Sequence, residues 1–356
     1  MFKSFKIGQL FNIPIYLHWS FLLLPLIVIY RGGENEVINI VWEIGLVGSL
    51  FFCVLLHEYG HALSARRYGV ETLDIILSVI GGVARLTRLP EKPWHEFVVA
   101  AAGPAVNIVI AVIVYLFLWI TGSNFLPTSP IINGSSFLQF LAFANIMLVV
   151  FNLVPAFPMD GGRMLRAALN TKLSRVRATY IAMLVGQILA VLAAGYGLYF
   201  GHYTLVFIAV FVFVSAGAEY RGIKKEAFLT NHPIRDAMKQ QFYIVQQSNN
   251  IDYAIQILTN SGQQHFPVLN LMELNGILTH QQILKALSDK NTFAPISEYM
   301  TSNFTVLSPD DSIRLAYQLF QENGYELIPI IENNVVIGIL DKASLNEFLQ
   351  MQAARS

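Results

Sequence analysis

The chain has 356 residues, of which 54% are hydrophobic and 13% charged, with 23 basic residues balanced by 23 acidic ones. A soluble domain carries about 25% charged residues, so this composition excludes a wholly soluble protein, and zero net charge gives no case for a nucleic-acid partner. The single cysteine, Cys53, excludes an intrachain disulfide and a cysteine-rich metal site.

Apolar runs long enough to cross a bilayer, roughly 20 residues each, fall at about 14–30, 37–62, 96–120, 137–157, 179–200 and 203–220. The first lacks a small-residue cleavage site after its apolar core and is read as a retained helix rather than a signal peptide. Between the second and third runs lies "VETLDIILSVIGGVARLTRLPEKPW", β-branched and broken by Gly81-Gly82. It predicts a re-entrant β-hairpin, because one more full crossing would invert every later loop. With six spans, one side collects Lys3, Lys6, Arg66, Arg67, Arg85, Arg88, Lys92, Arg163, Arg166, Lys172, Arg175, Arg177, Arg221, Lys224 and Lys225, and the other only Arg31. Cytoplasmic loops hold the excess of lysine and arginine, so both termini are expected in the cytoplasm.

The second run ends in "LLHEYGH", with His57, Glu58 and His61 near its cytoplasmic end. Ionisable groups in an apolar segment are costly and mark a site. On a helix, residues four apart share a face, so His57 and His61 can meet one ion, while the adjacent Glu58 can take and return a proton. A catalytic zinc needs a third protein ligand and an open position for water. The fourth run ends in "NLVPAFPMDGGR" and also travels outward to inward, which brings Asp160 to the same depth. Pro155 and Pro158 open the helix there, and Gly161-Gly162 permits tight turns. The plainer readings are an interfacial anchor for the histidines and a helix stop or an ion pair to Arg163 for Asp160. The convergence of both motifs at one depth favours a metal site.

"HEYGH" paired with "NLVPAFPMDGG" resembles the site-2 protease family of intramembrane zinc metalloproteases, and the resemblance covers the whole membrane half. It implies zinc held by His57, His61 and Asp160, one ion per chain, with Glu58 activating water. It further implies a substrate or transition-state contact for Asn152 and, through the similar "AAGPAVN" at 101–107, a lesser one for Asn107. The hairpin resembles that family's membrane-dipping β element, which implies an edge strand for an extended substrate.

Beyond the charged join at 223–233, the chain matches itself without gaps at an offset of 62 residues. Ile234 meets Ile296, Met238 meets Met300, Gly262 meets Gly324, Pro267 meets Pro329 and Gly276 meets Gly338. Each unit, 234–290 and 296–352, reads as a lead, a helix, two strands and a helix, too small to bury a core alone. The units resemble CBS domains, which implies an adenine nucleotide as ligand and dimerisation as alternatives. The ribose-binding turn of that family is altered in both units, leaving Thr279 and Asp341 as candidate contacts.

The expected fold is a polytopic α-helical membrane domain at 1–222, of about six transmembrane helices with a re-entrant β-hairpin, followed by a soluble α+β tandem CBS pair. The expected function is intramembrane zinc endopeptidase, embedded in lipid in a bacterial-type cell membrane. It would cut transmembrane segments of membrane-anchored proteins near the cytoplasmic side, with the CBS pair as regulator or homodimer contact. The alternatives are a CBS-regulated transporter or channel, whose site would sit at the bilayer midplane, and an inactive scaffold of the same fold.

Overall fold

The computed structural model describes residues 4–24, 26, 37–79, 81–127 and 131–355. The chain divides into two units, Met1–Ile223 and Lys224–Ser356.

The first unit opens with strands rather than a helix. β1 (Ser4–Leu10) and β2 (Ile13–His18) form an antiparallel hairpin, and Trp19–Leu22 is a single 3-10 turn. The first expected span therefore does not begin as a helix at 14. Its last part, from 27, lies with Arg31 outside the described residues. The strand signal is a period of two: Ile13 and Ile15 are buried and alternate with Pro14 and Tyr16. Phe11 and Asn12 take positive φ in the connecting turn, a conformation that asparagine tolerates.

α1 (Val37–Arg67) carries the histidine motif at its C-terminal end. The expected hairpin follows as β3 (Thr72–Ser78) and β4 (Gly81–Leu86). β2 pairs in parallel with β3, so the two hairpins make one sheet in the order β1-β2-β3-β4, with β4 at an edge. Ile13, Ile15, Ile75 and Leu77 bury one face of this sheet against Tyr59 and Ala62 of α1. The sheet is thereby fixed to the helix that bears the site.

α2 (Pro93–Ile120) starts at a proline and contains Gly103-Pro104. α3 (Phe137–Leu153) is shorter than its predicted span and gives way to an irregular turn. α4 (Asp160–Leu169) then begins at the aspartate. Glycine is required at that junction: a β-carbon on Gly161 would overlap Leu153 O and Val154 O, and one on Gly162 would lie 2.7 Å from Phe157 N. α5 (Arg175–Tyr199) and α6 (Tyr203–Asn231) complete the bundle. Among the described residues, α1, α2, α5 and α6 are long and apolar enough to cross a membrane, and α3 is a shorter apolar helix. This is the helical membrane domain expected from composition.

The second unit repeats one motif. In the first copy β5 (Val245–Gln246), α7 (Ile251–Ser261), β6 (Phe266–Asn270), β7 (Glu273–Leu278) and α8 (His280–Ser288) surround a core that includes Phe266, Val268 and Leu278. In the second, α9 (Ile313–Glu322), β8 (Leu327–Glu332), β9 (Val335–Asp341) and α10 (Lys342–Arg355) enclose Ile313, Ile328 and Leu340. The copies exchange their leads. Lys239, in the lead of the first, bridges to Ile339 of the second, and Thr301, in the lead of the second, bridges to Ile277 of the first. Pro233 pairs with Ser312, and Pro295 with Asn250, in the same reciprocal sense. Every pair obeys the 62-residue offset.

This crossing explains two glycines that the alignment matched. A β-carbon on Gly276 would meet Thr301 O at 2.8 Å, whereas on Gly338 the nearest atom, also at 2.8 Å, is Met238 Sδ. Backbone cannot yield as a methionine tip can. Gly276→Ala should therefore destabilise the repeat pair by about 1–3 kcal/mol in denaturant unfolding followed on the full chain, and Gly338→Ala by clearly less.

Candidate functional site

α1 delivers His57 and His61 one turn apart, and the break before α4 delivers Asp160 to the same point. His57 Nε2 and His61 Nε2 each lie 3.2 Å from Asp160 Oδ2 and 3.1 Å from one another. All three residues are buried. Asp160 also faces Arg163 at 3.9 Å, so the ion pair weighed as its plainer role exists beside the cluster rather than in place of it.

Hydrogen bonds behind the rings determine which atoms face inward. His61 Nδ1 donates to Val99 O at 2.7 Å, and His57 Nδ1 donates to Asn107 Oδ1 at 2.8 Å. The second assignment follows along a chain of amides. Leu141 O can only accept, so Asn145 Nδ2 donates to it at 2.8 Å, and Asn145 Oδ1 accepts from Asn107 Nδ2 at 3.0 Å. That leaves Asn107 Oδ1 turned to His57. With both Nδ1 atoms protonated, a neutral ring would present its lone pair at Nε2, and the two Nε2 atoms converge with a carboxylate oxygen. Three acceptors packed together in an apolar bundle repel one another unless a cation lies between them.

The donor set fits zinc. Ligands bound at about 2.0–2.1 Å in tetrahedral geometry lie about 3.3 Å apart, close to the observed spacing. Room for the cluster depends on Gly103 of α2, where a β-carbon would overlap His61 Nε2 and lie 2.6 Å from His57 Nε2.

Glu58 is buried beside the cluster, and its Oε2 accepts the Ala84 N–H of β4 at 2.8 Å. A β-carbon on Gly82 would press on Glu58 Cγ at 2.7 Å, so the hairpin closes over this carboxylate only because residue 82 is glycine. A cavity of about 40 Å³ adjoins Glu58 and His61 and is bounded by Ala84, Leu86, Glu96 and Arg166 among others.

The remaining expected residues separate by position. Asn107 is completely buried with both ends of its amide engaged, so in this structure it orients the His57 ring. Asn152 is half-buried on the last turn of α3. Asn145 was not anticipated; its signal is an amide in the apolar run "FLAFANIMLVVFNL", where a polar side chain needs a partner.

In the second unit, Thr279 is occupied in capping α8. Its Oγ1 accepts the Gln282 N–H, and its own N–H donates to the Gln282 side chain. The cap leaves the O–H of Thr279 unassigned, so it stays a candidate contact. Asp341 instead lines a cleft of about 530 Å³ with Lys239, Gln263, His265 and Glu326. Burial pushes the Asp341 carboxyl up, but the Ser344 N–H and the Lys239 ammonium at 3.1 Å outweigh it and hold the group below its ordinary range. Burial holds the His265 imidazole below its ordinary value although Glu326 lies at 3.6 Å. The cleft therefore carries an ionised Asp341 and a neutral His265 at neutral pH.

Comparison with known proteins gives a family for each unit. Residues 45–128 and 128–193 match the profile of Peptidase family M50, and residues 234–289 and 296–350 match that of the CBS domain. Zinc metalloprotease MJ0392 of Methanocaldococcus jannaschii is 30% identical over 342 residues, covering 96% of this chain and 95% of that protein. The Synechocystis protein sll0528 is 30% identical over 379 residues, covering 99% and 97%. A solved site-2 protease from Methanocaldococcus jannaschii is 33% identical over 61% of this chain and 95% of its own, with a TM-score of 0.46.

The amide chain generates a prediction. Asn145→Leu frees Asn107 to rotate and releases the His57 tautomer, and loss of such supporting partners costs about 10–100-fold in metal affinity. Competition with a graded chelator on the purified protein should show a decrease of that order, with the fold retained by circular dichroism.

Proposed function

This chain belongs to peptidase family M50, and from that membership we infer that His57, His61 and Asp160 hold one zinc ion per chain and that Glu58 is its general acid and base. The chain is a membrane-embedded zinc metalloprotease of the site-2 type with a C-terminal CBS pair. The observation that carries the assignment of residues is the convergence of two imidazole Nε2 atoms and a carboxylate oxygen next to a buried glutamate.

Zinc, when bound, supplies a Lewis acid that polarises the scissile carbonyl and acidifies water. The remaining work belongs to the chain. The Ala84 N–H fixes Oε2 of Glu58 and leaves Oε1 free for the reacting proton. Glu58 takes that proton as the water oxygen adds to the carbonyl carbon, then delivers it to the amide nitrogen as the carbon–nitrogen bond breaks. Burial among α1, α2 and β4 limits bulk water and strengthens each of these interactions.

The substrates in this reading are transmembrane segments of membrane-anchored proteins, cut near the cytoplasmic side. A transmembrane helix hides its peptide bonds and must unwind first. The open edge of β4 supports capture of the unwound segment as an added strand. Fifteen basic residues against one support a cytoplasmic site, N-terminus and CBS pair. Residues 1–222 would form the protease, 223–233 the join, and 234–290 with 296–352 the regulatory pair. In that pair the cleft at Asp341 and Lys239 would take an adenine nucleotide, and the pair would serve as the homodimer contact. Family membership removes the transporter reading, and the intact ligand set with Glu58 speaks against an inactive scaffold.

Metal analysis of purified protein should give about one zinc per chain, and less for His57→Ala and for Asp160→Ala. Glu58→Gln should keep its zinc and lose cleavage by at least about 10²-fold, so that substrates accumulate as a trapped complex in the native membrane; full activity in that variant would overturn its role. A reporter fused after Ser356 should be active in the cytoplasm, and activity on the outer side would overturn the orientation.

A further inference from the structure

Arg166 is the largest side chain in the described structure that is fully buried, with 0% exposure. It stands on α4, the helix that Asp160 begins. Its guanidinium is held on three sides: Nε donates to Glu96 Oε1 at 2.6 Å, Nη1 donates to Glu219 Oε1 at 2.7 Å, and the plane lies 5.2 Å from the Phe157 ring. Glu96 is in turn held by Arg175, whose Nη2 lies 3.3 Å from Glu96 Oε2. Within the guanidinium Nη2 alone is buried without a hydrogen-bond partner, a condition that Thr72 Oγ1 and Glu326 Oε2 share among the described residues. A charged donor left unsatisfied in an apolar interior is strongly unfavourable, so this one is reserved for an oxygen that the resting chain does not supply.

The residue's surroundings limit what that oxygen is. Arg166 lines the cavity of about 40 Å³ that Glu58 and His61 share with Ala84 and Leu86 of β4. Such a volume has room for at least about one ordered water, and a carbonyl oxygen is of comparable size. Along an extended peptide added to the β4 edge, main-chain carbonyls recur at regular intervals, and a carbonyl is an acceptor without protons, suited to a guanidinium that only donates.

We propose that Arg166 is a substrate-binding residue whose Nη2 donates to a main-chain carbonyl of a peptide lying along β4, beside the bond presented to Glu58. The proposal rests on the zinc reading given above. Glu96, Glu219 and Phe157 hold the guanidinium before substrate arrives, so little ordering is needed when the hydrogen bond forms.

Two probes separate this role from its competitors. Acetohydroxamate engages the metal and has no peptide backbone, whereas a dipeptidyl hydroxamate adds an extended backbone to the same metal-binding group. Calorimetric titration of the zinc-loaded full chain should show R166K binding acetohydroxamate as the unsubstituted protein does. It should bind the dipeptidyl probe roughly 10- to 100-fold more weakly, the worth of a hydrogen bond to a charged group. Equal loss for both probes would mean that Arg166 acts through Asp160 and would overturn the proposal. Unchanged binding of both would assign Nη2 to water and also overturn it. Failure of the unsubstituted protein to bind either probe would overturn the zinc reading and this assignment with it. If R166K loses its zinc, R166M combined with E96Q removes both fully buried charges and leaves only the partly exposed Glu219 and Arg175, a change that interiors tolerate better than a lone buried charge. The same comparison then decides, and loss of zinc from both variants would overturn the proposal.

Discussion

Two imidazole nitrogens and a carboxylate oxygen converge within 3.2 Å of one another in an apolar bundle, and with the rings neutral they repel. A cation would reverse the sign of their interaction, and on the proposed reading the membrane unit keeps them ready for one. Each ring is anchored at its far nitrogen by an acceptor, so the near nitrogen cannot be protonated in the neutral state. Asp160 arrives by a helix break, which lets a side chain enter the site from the start of a helix. Gly103, Gly161 and Gly162 clear space that any β-carbon would fill. Removing one part leaves the others in an unfavourable arrangement, which is why the cluster behaves as one object rather than three ligands.

The same economy extends outward. The sheet built from two hairpins packs on α1, and its edge strand supplies the N–H that aims Glu58. On the proposed reading, the strand that would offer an edge to a peptide is also the strand that orients the proton carrier, which would tie recognition to chemistry through a single backbone amide. Opposite it, the ion pairs of Glu96, Arg166, Arg175 and Glu219 join α2, α4, α5 and α6 in a region where charges are costly unless paired.

The sequence made legible whatever follows from residue type and spacing. His57, His61 and Asp160 come together as expected because a four-residue step on a helix and a proline-opened helix end are local rules, and loop charge set a common depth. The β3–β4 hairpin was legible from β-branching and paired glycines. Hydropathy concealed the N-terminal hairpin, since an apolar strand and the start of an apolar helix give the same average and only the alternation around Ile13 and Ile15 separates them. The hydrogen-bond partners of Asn107 and Thr279 were not legible, because motif likeness gives position without partners. One amide lies behind a ring, and one hydroxyl closes a capping box. Asn145 and Arg166 depend on contacts across 38 and 70 residues, to Asn107 and Glu96, and no local pattern encodes those.

The reciprocal leads of the second unit carry a consequence for how such a module can be divided. Because each repeat's lead is seated on the other's strand and helix start, the boundary of a folded half does not coincide with the boundary of a repeat. A fragment holding one repeat would carry a docking arm with nowhere to lie and a groove with nothing to fill it. Two such fragments would complete each other. The tandem pair is, in effect, a swapped dimer whose two copies have been joined into one polypeptide, and its partner is permanently at hand.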